Sequence, residues 1–448
     1  MPHRYARFPC VGIAAALIAG MVALPTSARA DDDEAPSTTG IARPASDGSN
    51  SLRTLGSAAL FLPRETLSLL FLGTSTAAAI LQDNSTVPRF GNLATGSTRL
   101  YVFPTLFAET NATFSVGARM IGASDHAATS LRVGIGGLKD TEIDTRVLIR
   151  ISEEIPLAFG TESLFLRSSN NEYAGIGQDP ETDARNRFRT GSAGQTAIYD
   201  ERRERAIATV GGRPIRDLEI VGTLSFDRRS LDDEDNGTSL SFDQIFVPGS
   251  VAGSASPTRL FYGEIAVRLD SRFNRGGPQK GLLLETYGGL SNELSDSPEV
   301  SLARVGGSAG VFIPVLRRTN ILSPRVFLDG LIQRDGAPVP FTELPLQPQF
   351  RGAGIRRDFV SLVGNLDYRW GFTTNVGMRV FVDGATVGPS VDELAITSPR
   401  VAGGVGLDLW STGSDLGSFA IAGGPDGLAF HLSFGLSSGF SDDRQHRD

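Results

Sequence analysis

Three groupings in this sequence hold residue types that could do chemistry. Gly306-Gly307-Ser308-Ala309-Gly310 has the G-x-S-x-G spacing of a nucleophile elbow, which needs a strand before the serine and a helix after it. Both flanks here read as strand, so Ser308 reads as a small residue within a strand. His431 and Ser433 lie two apart and share one strand face. A lipid-cleaving site would need its nucleophile on the opposite face, where the neighbours are Phe and Leu. Asp232-Asp233-Glu234-Asp235-Asn236-Gly237, with Asp243 at position twelve, places acids, Asn and Gly as a calcium loop does. Asp at twelve is a poorer bidentate ligand than Glu, and a solvated acidic loop accounts for the same run. His126 and His446 show no ligand spacing. The Glu201–Arg205 cluster reads as salt bridges at a strand end or as a contact with lipid phosphates. No catalytic group, metal or cofactor is expected from these residues.

The elements that carry them alternate with period two. From Phe359 to Trp370, Val360, Leu362, Gly364, Leu366, Tyr368 and Trp370 share one face, and Ser361, Asn365, Asp367 and Arg369 share the other. Leu260–Asp270, Val376–Asp383 and Ala429–Leu436 repeat the pattern. One apolar and one polar face is the signature of a half-buried strand. Read this way, the chain holds about sixteen strands, starting near residues 99, 112, 128, 143, 156, 203, 217, 258, 281, 299, 319, 359, 374, 399, 416 and 427. Long connections follow the fifth (Ser168–Arg202), seventh (Arg229–Pro257), eleventh (Gln333–Asp358) and thirteenth (Val387–Ser398), all odd strands. Connections after even strands are mostly short. An even count with the long loops sorted to one rim is the pattern of a transmembrane β-barrel. The expected fold is therefore all-β: a transmembrane antiparallel barrel of about sixteen strands, preceded by a short N-terminal helix.

Composition bounds the rest. The chain has 448 residues, 52 Gly, one Cys and a formal charge of −8. That acidic balance argues against a nucleic-acid partner. Beyond residue 30 no apolar run approaches the ~18 residues of a spanning helix. Residues 1–30 read as a secretory signal, with Arg4 and Arg7 ahead of the apolar Val11–Leu24 and a small-x-small site at Ala28-Arg29-Ala30. Cleavage there removes Cys10 and three Arg, leaving a charge of −11 and no disulfide chemistry. Residues 31–50 read as a disordered acidic leader. Within residues 51–98, Thr66–Leu81 reads as a helix opened by Pro63, placed in the periplasm or as a plug. The barrel is expected over 99–440, with a polar tail at 441–448.

Residues 341 to 440 resemble the surface-antigen barrel of the BamA/TamA superfamily. Phe350-Arg351-Gly352 matches the first three positions of that family's (V/I/L)RG(F/Y) loop motif, with Ala353 in the fourth. Asn365-Leu366-Asp367-Tyr368-Arg369 is similar to its N-x-E-Y-R strand, and Phe381-Val382-Asp383-Gly384-Ala385 to its F-x-D-x-G strand. Gly403-Gly404-Val405-Gly406-Leu407 is similar to the glycine-rich strand after it, and Phe430–Phe440 to the closing strand. Upstream, Tyr173-Ala174-Gly175-Ile176-Gly177 resembles a Y-x-G-I-G stretch. The resemblance implies that Arg351 folds into the lumen and pairs with Asp367 and Asp383, both on the polar strand face. A guanidinium fork suits two carboxylates in a confined site. Between Asp31 and Phe90 there is no helix-plus-strand pattern of a POTRA module, so the resemblance implies a member without them.

The family resemblance further implies assistance in inserting or translocating polypeptides at the outer membrane. The route would be a weak seam between Arg99–Phe107 and Gly427–Leu436. Partners would be outer-membrane lipid, lipopolysaccharide and unfolded outer-membrane proteins. A passive pore and a lipid-acting barrel enzyme are the alternatives, and chemical catalysis is not expected.

Overall fold

The structure, a computed structural model, describes residues 99–434 with short breaks in the connections. The expected signal, leader, Thr66–Leu81 helix and terminal tail lie outside the described residues, as does the core of the acidic run, 234–239. Sixteen strands follow one another. They are β1 (Arg99–Glu109), β2 (Ser115–Ala123), β3 (Ala127–Gly136), β4 (Asp140–Arg150), β5 (Leu157–Tyr173), β6 (Ala197–Ile215), β7 (Leu218–Asp233) and β8 (Thr258–Asp270). The second half comprises β9 (Gly281–Glu293), β10 (Ser301–Pro314), β11 (Asn320–Gln333), β12 (Val360–Gly371), β13 (Val376–Gly388), β14 (Arg400–Trp410), β15 (Asp415–Gly424) and β16 (Gly427–Phe434). Each pairs antiparallel with its neighbours in sequence, and β16 returns to β1 to close a barrel. A short helix, α1 (Phe242–Ile245), lies in the connection after β7. Among the described residues no helix is long and apolar enough to cross a membrane.

The barrel is polar inside and apolar outside. Buried strand residues include Asp144, Arg146, Glu162, Arg203, Asp367 and Asp383. Exposed ones include Ile135, Leu224, Ile265, Leu290, Val382 and Phe430. Alternation along each strand puts the first set in the lumen and the second on the outer wall. A water-soluble protein reverses this arrangement, so the outer wall is a lipid-facing band. Closure satisfies the strand N–H and C=O groups in hydrocarbon, where water cannot.

Strand lengths differ in a way that positions the loops. A tilted strand crosses a bilayer in about 9–11 residues, yet β5, β6 and β7 have 17, 19 and 16. Their extra length rises as a wall on the rim where the long connections emerge. β6 begins at Ala197, earlier than its alternation predicts near 203. Above the membrane its outward residues are Asp200, Arg202 and Glu204, so the apolar-out signal is lost although pairing continues.

Ile265 sits in the middle of β8 and is 66% exposed. Ile265→Arg should destabilise the barrel by about 2–4 kcal/mol. Denaturant titration in lipid vesicles reads this; an unchanged midpoint would mean this wall does not meet lipid.

Candidate functional site

The connection after β11 turns into the barrel. Its 3-10 turn, Phe341–Glu343, packs Phe341 against Tyr173 with ring centroids 4.5 Å apart and against Phe242 of α1 at 5.3 Å. The Thr342 carbonyl accepts from Arg229 of β7 at 3.4 Å. Further along, Phe350 is buried against the lumen faces of β12, β13 and β14, at Val363, Ala385 and Ala402. Burial of one aromatic on each side brings the intervening chain down to the strand wall.

Arg351 then reaches both carboxylates. Its Nε and Nη2 donate to Asp383 Oδ2 and Oδ1 at 2.9 and 2.6 Å, and its backbone N–H donates to Asp383 Oδ2 at 3.0 Å. Its Nη1 donates to Asp367 Oδ1 at 2.5 Å. Phe381 lies under the guanidinium, with its ring centroid 3.6 Å from the central carbon, a separation for cation–π attraction. Both aspartates are fully buried. Burial works against the Arg351 charge, but the hydrogen bonds it donates to the two carboxylates, and their charge, outweigh it and hold its pKa above the ordinary value.

Neighbouring side chains complete the site. Asn365 donates to Asp383 Oδ1 at 2.6 Å and to the Gln349 carbonyl at 2.9 Å. Arg325 of β11 donates to Asp367 Oδ2 at 2.6 Å. Gly352 makes close approach possible: a Cβ there would stand 2.6 Å from both Ala402 Cβ and the Phe350 ring. Gly404 leaves the space that Phe381 fills, since a Cβ there would stand 2.6 Å from that ring. Thus Phe350, Arg351, Gly352, Asp367, Phe381 and Asp383 meet at one place. Gly384 does not; it follows Asp383 and faces the opposite side of β13. Arg325 is a member that single-strand patterns miss, because only the register of β11 brings it in, and the register of β14 sets Gly404 of the glycine-rich stretch beside Phe381.

A second clasp holds the same loop from the connection after β5. Arg185 grips the buried Asp358 with two bonds, at 2.8 and 2.6 Å, and also bonds Asp183. Gly177 N–H donates to the Arg357 carbonyl at 2.9 Å. Gly175 and Gly177 have φ of +107° and +97°, so the Y-x-G-I-G segment follows a path that L side chains resist. Beyond these clasps, Arg400 donates to the Ala353 carbonyl at 2.6 Å and pairs with Asp426 in the β15–β16 turn. A cavity of about 60 Å³ remains beside the loop, lined by Arg203, Asp227, Arg229, Tyr262, Glu264 and Glu343. It has room for waters.

The other candidate residues stay apart. Gly306–Gly310 lies wholly inside β10, hydrogen-bonded to β9 and β11, so Ser308 has no strand-to-helix turn. His431 lies in β16, two residues beyond Ala429 on the same face. Among the described residues no group of three His, Cys, Asp or Glu is placed to hold a metal.

No protein-family model and no curated protein matches the chain. Among solved structures it is similar to BamA from Haemophilus ducreyi lacking POTRA domains 1-3. That match has a TM-score of 0.52 and 13% identity, over 81% of this chain and 78% of that one. CdiB from Acinetobacter baumannii aligns with a TM-score of 0.46 and 9% identity, over 76% of this chain and 60% of that one. The fold is that of a BamA-type barrel, and at this identity the fold is what is shared.

Arg351→Ala leaves two buried carboxylates short of a partner and should cost about 3–5 kcal/mol. Adding Asp383→Ala should cost less than the two single losses together, because both remove one interaction. Heat-modifiable mobility after denaturant titration reads both; strict additivity would separate the two residues. The Arg185 bonds hold the Asp183 carboxyl below the usual carboxylate range. Its contribution is therefore full above about pH 4 and is lost as pH falls through the lower folded value. Protection of the Arg185 amide, which bonds Asp183 at 2.9 Å, should fall in that acid range, and a flat profile would contradict the clasp.

Proposed function

We propose that this chain is an outer-membrane barrel of the BamA/TamA type that assists insertion or translocation of polypeptides. The BamA-type fold and the lipid-facing band support the placement. The observation that carries the reading is the seam. Among the described residues, β1 pairs with β16 from Leu106↔Phe434 to Glu109↔His431, the first strand directly against the last. First and last strands meet there, and a strand edge at that junction is one that an incoming strand can use by β-augmentation. Unfolded outer-membrane proteins are the clients this chemistry fits.

In this reading the Arg351 node is a lock. It ties the β11–β12 loop to β12 and β13, so that part of the wall stays rigid while the junction yields. The anchored loop occupies lumen that a passive pore would leave open, which favours assembly over solute passage.

Depletion in the native host, followed by quantitative outer-membrane proteomics and a solute-uptake assay, tests this. Other barrel proteins should fall at least twofold in abundance before uptake changes. Normal levels of all other barrels with altered uptake would overturn it in favour of a pore.

A further inference from the structure

The tall wall formed by β5–β8 carries charge where the membrane should end. On its outer face the residues up to one height are uncharged: Leu157 to Phe165 on β5, Ala206 to Gly212 on β6, Leu218 to Phe226 on β7, and Phe261 to Leu269 on β8, taken alternately. Each run approaches the 9–11 residues of a membrane-crossing strand. Phe226 and Phe261 stand opposite one another at its upper limit, 38% and 42% exposed. Two residues higher the wall turns basic. Arg228 stands directly across from Arg259, and Arg167 directly across from Arg202. All four side chains are exposed.

Like charges directly opposed on a sheet repel. Among the described residues the two pairs share one carboxylate: Glu204 accepts from Arg202 at 2.6 Å and from Arg228 at 3.5 Å. The next acids on this wall, Asp200 opposite Asp232, lie farther from the apolar band. Arg202 also lies over Phe165, 5.4 Å from its ring centroid, which seats the guanidinium at the edge of the apolar band. The rim is the one bearing the long loops, hence the outer leaflet if the chain is an outer-membrane barrel, the reading on which this inference rests.

We propose that Arg167, Arg202, Arg228 and Arg259 form a binding site for phosphate-bearing lipid headgroups of the outer leaflet. The phosphates neutralise the opposed pairs, guanidinium forks match their oxygens, and Phe226 and Phe261 contact the acyl chains below.

The test uses the folded full chain in zwitterionic detergent. Thermal unfolding is followed while bis-phosphorylated rough lipopolysaccharide, the same lipid dephosphorylated, or inorganic phosphate is titrated in. A ligand that binds only the folded state raises the midpoint. The phosphorylated lipid should stabilise the wild type, and the other two should not. Arg228→Gln with Arg259→Gln, or Arg167→Gln with Arg202→Gln, should weaken that response by about tenfold or more. In plain detergent each pair should unfold at or above the wild-type midpoint, since repulsion has been removed. Four Arg→Lys changes should keep most of the binding, and Arg334→Gln, on an exposed loop, should bind as wild type. Undiminished response in the paired variants, an equal response to dephosphorylated lipid, or lower stability of the variants in plain detergent would overturn the site. Stabilisation by inorganic phosphate alone would overturn the lipid assignment. Client proteins play no part in this assay, so its failure and a failure of the assembly reading are separable.

Discussion

A chain that crosses hydrocarbon as strands must pair every backbone N–H and C=O with itself, and the rest of this structure follows from that constraint. Closure from β16 to β1 satisfies it and turns one face of every strand inward. The inner face cannot all be apolar, since the outer face must be. The lumen is therefore filled with charges that need partners: Arg146 with Asp144 and Glu162, Arg203 with Asp227, Arg304 with Asp329, Arg379 and Arg369 with Asp408. The sequence uses Arg almost to the exclusion of Lys, which appears only at 139 and 280. A planar fork that bonds two oxygens at once loses less on leaving water than a point charge does.

The Arg351 node is the same chemistry used across a loop. Strand-to-strand pairs such as Arg203–Asp227 hold together what the ladder already holds. Arg351 instead fixes a segment with no ladder of its own, and six donor contacts converge there on two carboxylates, counting its backbone N–H, Asn365 and Arg325. The Arg185–Asp358 clasp repeats the arrangement at the rim, where Tyr173, Tyr199, Phe242 and Phe341 supply an apolar core above the membrane. The loops thus form packed structure over the lumen, and the long β5–β7 wall is its support.

Much of this was legible in the sequence because lipid imposes period two. The strand starts fall close to their expected places wherever the outward residues are apolar, and the largest departure, at β6, comes where they become charged. Parity alone put Asp367 and Asp383 in the lumen, and the motif resemblance put Arg351 near them. Arg325 was not legible: it is one Arg in an ordinary strand until β11 is set beside β12. The pairing of Tyr173 with Phe341, and of Arg185 with Asp358, joins residues 168 and 173 positions apart. No local pattern encodes contacts at that separation. The opposed arginines of β5–β8 were likewise visible as charges but not as neighbours.

The central claim is that the β11–β12 loop is held inside the barrel by Arg351. Amide exchange in the folded chain tests it most directly, because the Arg351 N–H itself bonds Asp383. The account predicts that the Arg351 amide is protected to nearly the level of the adjacent strand amides of β12 and β13, and that Asp383→Asn lowers this protection while those strands keep theirs. Exchange at the rate of an open surface loop in the wild type would contradict it.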